Sequence, residues 1–157
     1  MIPSVVRGVT LRDLERIKGI TRAAYPSVVQ IQIEMLAGWM ETRRPHLLVD
    51  VRSPEEFAVS HLRGALNLRS AKEIAEAARQ REGSEIVLYC AVGFRSSRLA
   101  QILSERGVAK VMNLEGSIFQ WVNEGLPVYR GEILVREVHP YGTRWAGLLK
   151  PGLASHP

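Results

Sequence analysis

Two short stretches constrain this chain more than anything else in it. Residues 46–51 (HLLVDV) and 85–89 (EIVLY) are near-continuous apolar runs of strand length. A strand that faces water on one side alternates polar and apolar residues. One that does not alternate is buried on both faces, as in a parallel sheet covered by helices. The segments between and after them carry helical signals. At residues 53–57 (SPEEF), Ser53 is placed as an N-cap, Pro54 at the first helical position, and Glu56 completes a capping box. Residues 71–81 are helical with charges facing out, and 95–106 form an amphipathic helix stopped by Gly107. Residues 65–68 and 110–114 read as strands, and 117–124 as a helix stopped by Gly125. Strands alternating with helices at short intervals predict an α/β fold, an open and mostly parallel sheet with helices on both faces.

Upstream, residues 10–24 place Leu11, Leu14, Ile17 and Ile20 at helical spacing, with Thr10 able to cap and Asp13 in the first turn. Tyr25-Pro26-Ser27 breaks that helix, 28–31 leans toward β, and 34–41, with Leu36 and Trp39, reads as a helix ended by Arg44-Pro45. Trp39 and Trp121 are expected in the core. The length of 157 residues suits one ordinary domain, and 46% hydrophobic with 24% charged residues is globular composition. The single cysteine, Cys90, excludes an internal disulfide and any multi-cysteine metal or iron–sulfur site. No apolar run is long enough to span a bilayer, and the first residues lack the pattern of an export signal. A cytoplasmic location without membrane contact is therefore expected.

The formal charge of +5 invites a nucleic-acid reading until it is located. Residues 1–26 hold five basic and two acidic side chains, 27–129 hold twelve of each, and 130–157 hold four and two. A diffuse excess at the two ends is a solvated face, and no nucleic-acid partner is expected.

In open parallel sheets ligands bind beyond the carboxyl ends of the strands. Asp50 and Cys90 both fall at such ends. The segment 89–97 (YCAVGFRSS) runs from a buried strand into a helix, a turn that gathers backbone N–H groups at the positive end of the helix. Gly93 permits the tight curl, and a thiol in this cradle beside Arg95 is favoured as thiolate. The alternative is that Cys90 is a small buried hydrophobe at a strand end.

Four segments, in order, resemble the single-domain rhodanese-like sulfurtransferases: 47–57 (LLVDVRSPEEF), 61–68 (HLRGALNL), 87–96 (VLYCAVGFRS), and 114–116 (LEG) with Trp121, Gly125, Leu126 and Pro127. The resemblance covers residues 28–129. It implies a rhodanese-like domain at 27–129, flanked by a basic, partly helical extension at 1–26 and a Pro-, Gly- and aromatic-containing extension at 130–157. It also implies a rhodanese-type, thiosulfate-using enzyme. Cys90 attacks the outer sulfur of a donor such as thiosulfate or a persulfide, becomes a persulfide, and yields that sulfur to a thiol or cyanide. Substrate binding then falls to Ala91, Val92, Gly93, Phe94, Arg95 and Ser96, and the amides of residues 92–96 stabilise the persulfide anion. Arg95 either holds an oxyanion of the donor or braces the loop. Asp50, Arg52 and His61 are supporting residues, Asp50 through a buried partner and oriented toward Arg52 or the loop, Arg52 as positive potential at the mouth or merely solvated, and His61 as a brace for a turn. No cofactor or metal is implied.

Four residues separate Cys90 from Arg95, one fewer than in the related cysteine phosphatases, so a phosphate would be cramped. With no second cysteine to resolve a sulfenate, a redox role is disfavoured. Ser60, Arg63 and Ser117 stand where the family often has Gly, Pro and Gly. Ala91 replaces the basic residue many thiosulfate-active relatives carry, which favours a less charged or protein-borne donor. The alternative function is a sulfur-carrier or protein-binding module without turnover, with a protein as sulfur acceptor. In the tail, residues 131–135 suggest an added strand. Tyr141 and Trp145 suggest an ordered segment that packs on the domain, covers the active-site mouth or docks a partner.

Overall fold

The apolar runs form the middle of a parallel sheet in the computed structural model, which describes residues 11–156. Strands β1 (Val29–Ile31), β2 (His46–Asp50), β3 (Leu66–Asn67), β4 (Glu85–Tyr89) and β5 (Val111–Leu114) lie in the order β1-β5-β4-β2-β3, every neighbouring pair parallel. The expected α/β architecture is the one observed. β4 and β2 are central, and successive side chains of these strands enter opposite layers.

Leu48, Val87 and Leu114 pack on one side with Ile33 and Leu36 of α2 (Ile33–Glu41) and with Ile118, Phe119 and Trp121 of α6 (Ser117–Asn123). Leu47, Val49, Ile86 and Leu88 pack on the other with Ala71 and Ile74 of α4 (Ala71–Arg79) and with Ala100 and Leu103 of α5 (Phe94–Glu105). Trp121 is in the core, its indole N–H donating to the Pro127 carbonyl at 2.8 Å, whereas Trp39 is half-buried under the Arg44 guanidinium. α3 (Pro54–Val59) has the full capping box: Ser53 Oγ accepts from the Glu56 N–H while Glu56 reaches back to the Ser53 N–H.

Boundaries differ from expectation where the backbone turns. β5 begins at Val111 rather than at Lys110, whose φ of 61° leaves the extended region. α4 ends at Arg79, with Gln80 as its C-cap. The N-terminal helix α1 spans Leu11–Ala24, and its expected cap, Thr10, lies outside the described residues.

Both flanks are tied to the layer that holds α2 and α6. Leu14 of α1 joins that core, Arg22 pairs with the buried Glu115, and Gln32 donates to the same carboxylate at 2.6 Å. After α6, β6 (Val128–Arg130) and β7 (Ile133–Val135) form a separate antiparallel pair. The remaining tail contains a 3-10 helix, Thr143–Leu148, and buries Val138, Leu148, Leu149 and Leu153. Asn123 clamps it, donating to the Leu148 carbonyl at 2.8 Å and accepting from the Lys150 N–H at 2.9 Å.

Candidate active site

Cys90 follows the last residue of β4, and α5 begins four residues later. Its Sγ accepts the Gly93 N–H at 3.1 Å and lies 3.2 Å from Ser96 Oγ. Gly93 has φ of 105°, a conformation other residues avoid. A Cβ there would stand 3.1 Å from Asn113 Nδ2. The first helical bond of α5 runs from the Ser97 N–H to the Gly93 carbonyl at 3.1 Å. The N–H groups of Phe94, Arg95 and Ser96 precede it, at the positive end of the helix.

Ser96 Oγ also lies 2.5 Å from Asn113 Oδ1, an atom that can only accept. Asn113 in turn donates from Nδ2 to Gln30 Oε1 at 2.7 Å, which fixes its amide. The single hydroxyl proton of Ser96 therefore serves either Asn113 or the sulfur. With a thiol it stays on Asn113; with a thiolate it can turn to Sγ. α6 holds the same loop from the other side: the Ile118 and Phe119 N–H groups donate to the Cys90 and Ala91 carbonyls at 3.2 and 3.0 Å. Ser117 has φ of 51°, explaining why glycine suits this position, and its hydroxyl repays the conformation. It accepts the Cys90 N–H at 3.2 Å and donates to the Leu114 carbonyl at 2.9 Å.

Arg95 makes a bidentate pair with Glu56, at 3.1 and 3.0 Å, and its guanidinium sits 4.4 Å from the centre of the Tyr141 ring. Burial alone would raise the Glu56 carboxyl, but the Arg95 bonds outweigh it and hold the group below the usual carboxylate range. Burial likewise disfavours the Arg95 cation, and Glu56 outweighs that too, so Arg95 is held more firmly protonated than usual. Glu56 is thus both the capping-box residue of α3 and the anchor of Arg95.

Asp50 and Arg52 form an ion pair with both side chains at 0% exposure. Arg52 is therefore neither at the mouth nor solvated, because its fork is committed inward. Nε and Nη2 donate to Asp50 at 2.9 and 2.6 Å, and Nη2 also donates to the Ser60 carbonyl at 2.7 Å. The guanidinium lies 5.8 Å from the Tyr89 ring centre, behind the strand end that carries Cys90. Burial and then Asp50 push the Tyr89 phenol well above its usual value, and its oxygen accepts the Leu62 N–H at 3.0 Å. His61 stacks on Phe57 with ring centres 4.1 Å apart, and its Nδ1 is 3.0 Å from the Leu62 carbonyl.

Cys90, Ala91, Val92, Phe94 and Arg95 line one cavity of about 300 Å³. Gly93 and Ser96 contact the sulfur but are not part of its lining; Asp50, Arg52 and His61 stand away from it. Of the rest of the wall, Phe119, Ile17 and Ile20 carry no sequence signal for the site, whereas covering the mouth is one of the three expectations for the tail with Tyr141 and Trp145. Phe119 comes from α6, Ile17 and Ile20 from α1, and Tyr141 and Trp145 from the tail. Three of the departures from the family pattern make contacts of their own, and one of these, Ser117, touches the Cys90 loop. Ser117 holds the Cys90 N–H, Ser60 Oγ donates to the Glu137 carbonyl of the tail at 2.7 Å, and Arg63 stacks 4.5 Å from the Tyr129 ring centre. Among the described residues no group of His, Cys, Asp and Glu is arranged to hold a metal ion. No described helix is long and apolar enough to cross a membrane.

Comparison with known proteins agrees with the fold. The chain is 31% identical over 105 residues to a sulfurtransferase of Allochromatium vinosum, covering 67% of this chain and 98% of that protein. It is 37% identical over 84 residues to the Synechocystis protein slr1261, covering 54% of this chain but only 47% of that one. A crystal structure of a thiosulfate sulfurtransferase from Pseudomonas aeruginosa superposes with a TM-score of 0.65 at 16% identity, covering 79% of this chain and 24% of that one, a likeness of fold. The rhodanese-like domain profile matches residues 33–124, more than half of the chain, which therefore belongs to the rhodanese-like domain family.

Proposed function

We propose that Cys90 is the nucleophile of a sulfurtransferase that works through a persulfide. The observation that carries this reading is the sulfur's setting: at a parallel strand's carboxyl end, on the Gly93 N–H at 3.1 Å, under the first turn of α5 and open to a cavity. With thiosulfate, the Cys90 thiolate bonds to the outer sulfur, the donor S–S bond breaks, and its electron pair leaves with sulfite. The Cys90 persulfide keeps its negative charge. Cyanide or a thiolate then bonds to the outer sulfur and releases the Cys90 thiolate. Gly93 and the first-turn N–H groups of α5 supply fixed donors for the anionic sulfur, and Ser96 swings its proton from Asn113 to whichever sulfur carries charge.

Arg95 braces the loop in this reading. Its fork is occupied by Glu56, so it acts through its field and through Tyr141 rather than by gripping a donor oxyanion. Residues 27–129 are the catalytic unit, and Ile17 and Ile20 of the first flank with Tyr141 and Trp145 of the second complete the cavity. The cycle needs a reduced thiol, which fits a cytoplasmic setting. Intact-mass measurement after incubation with thiosulfate tests the reading, on the native protein and on Cys90→Ser. One sulfur gained by the native protein alone, and released to cyanide as thiocyanate, is the expected result. Gain of sulfur by Cys90→Ser, or by neither protein with any donor, refutes it.

A further inference from the structure

The wall of the Cys90 cavity is carbon almost throughout. The one charged side chain among its lining residues, Arg95, is already committed to Glu56 and lies against the Tyr141 ring. A dianion entering this space would shed water without gaining a free cation, whereas an apolar group gains by the same transfer. Cys90 itself is 1% exposed, and the cavity of about 300 Å³ is the size of a small-molecule site rather than of a protein footprint. The residues that enclose it from above, Ile17, Ile20, Tyr141 and Trp145, all lie outside the family match at 33–124. Their contribution to the cavity is therefore not part of what the domain profile describes.

We infer that the cavity selects small sulfur compounds whose sulfur is attached to an uncharged alkyl or aryl group, in preference to inorganic thiosulfate. The inference takes its chemistry from the persulfide reading above and its selectivity from the two flanks. The step balances for an organic thiosulfonate, R–SO2–S⁻. The Cys90 thiolate bonds to the terminal sulfur, the bond from that sulfur to the sulfonyl sulfur breaks, and the electron pair leaves with R–SO2⁻. The negative charge of the donor stays on the persulfide, and no proton, oxidant or reductant is required. A thiolate R′–S⁻ then takes the outer sulfur as R′–S–S⁻.

Two measurements test it separately from the chemistry of Cys90. The first compares binding of benzenesulfinate and methanesulfinate to Cys90→Ser by titration calorimetry. The two share a head group and a charge and differ only in the apolar part. Benzenesulfinate is expected to bind at least about tenfold more tightly, since even one methylene in an apolar pocket is worth about tenfold. Ile20→Ala and Trp145→Ala are expected to shrink that ratio. The second compares kcat/KM for sulfur loading of the native protein by benzenethiosulfonate, methanethiosulfonate and thiosulfate, each normalised to its rate with a free thiol. The expected order is phenyl, methyl, thiosulfate. Because Ile20 is already half exposed, its truncation is tolerated by the fold and remains informative if Trp145→Ala does not fold. Equal affinities of the two sulfinates, or no binding of either, overturn the inference. So does equal normalised loading by all three donors, which would leave sulfur transfer standing. Tighter phenyl binding without loading by any donor would keep the apolar site and overturn the sulfurtransferase reading instead.

Discussion

The buried pair behind the strand that leads to Cys90 makes the sharpest stability prediction. Asp50→Asn keeps the shape of the side chain and removes its charge. In the native protein Arg52 has 0% side-chain exposure, Asp50 as its directly bonded carboxylate, and one nitrogen, Nη1, that lacks a hydrogen-bond partner among the described residues. Neutralising Asp50 leaves a guanidinium in the interior with no carboxylate bonded to it, opposed only by the more distant charge of Glu56, which is itself committed to Arg95. The cost of breaking such a pair is about 3–5 kcal/mol, chiefly the uncompensated burial of the survivor rather than the net worth of the pair. Against a total stability of roughly 5–15 kcal/mol, that is a large fraction. With a urea slope of roughly 1–3 kcal/mol per molar, the unfolding midpoint is expected to fall by more than about 1 M with the slope unchanged. Far-UV circular dichroism in a urea series reads this directly. The double replacement Asp50→Leu with Arg52→Met removes both charges and is expected to recover part of the loss. Recovery is incomplete because the Arg52 bond to the Ser60 carbonyl, at 2.7 Å, goes as well. Asp50→Asn within about 1 kcal/mol of the native protein, the range of an ordinary substitution, would refute the argument. It would mean that water reaches Arg52.

Two further outcomes follow from the loop. Gly93→Ala forces φ of 105° on an L-residue and brings a Cβ to 3.1 Å from Asn113 Nδ2, whereas Gly107→Ala, at φ of 85°, meets open space. Urea titration is expected to show a strain cost of about 1–3 kcal/mol for each, with Gly93→Ala the larger and alone in slowing sulfur loading; equal costs would refute the close approach. Glu56→Gln tests the Arg95 pair through pH. The Glu56 carboxyl is depressed below its ordinary value near 4.5, so the unfolded chain binds more protons than the native one in that range. Its contribution is complete above about 4.5 and is lost as pH falls through the lower native value, so thermal unfolding of Glu56→Gln should show a shallower acid limb. Parallel acid limbs would rule the pair out as a source of stability.

The fold was legible because its signals are local. An apolar run without alternation has one sheltered home, and β2 and β4 took it with Leu47, Val49, Ile86 and Leu88 on one side and Leu48 and Val87 on the other. The capping box at Ser53 and Glu56 is written within four consecutive residues and was read as it stands. The Cys90 loop was likewise visible, since a strand, a glycine and a helix start fall in sequence. The Asp50–Arg52 pair is local enough to be expected, but the burial of Arg52 is not, because its neighbours in the chain say nothing of the Tyr89 ring and Ser60 carbonyl that enclose it. Asn113 carried a usable signal, a polar residue inside an otherwise apolar strand, whose amide needs partners when buried.

What the sequence determined alone is the parallel sheet and the place of Cys90 at the carboxyl end of its central strand, while the chemistry proposed for that thiol rests on the family resemblance. Periodicity, capping and the strand–loop–helix turn need only neighbours along the chain. What tertiary structure decided is the surroundings of that thiol. Glu56 meets Arg95 across 39 positions of sequence, and Asn113 meets Ser96 across 17. Ile17 and Ile20 meet Tyr141 and Trp145 from opposite ends of the chain around one cavity. No local pattern encodes such meetings, because hydrophobic burial is non-directional and selects partners only when the whole chain has packed.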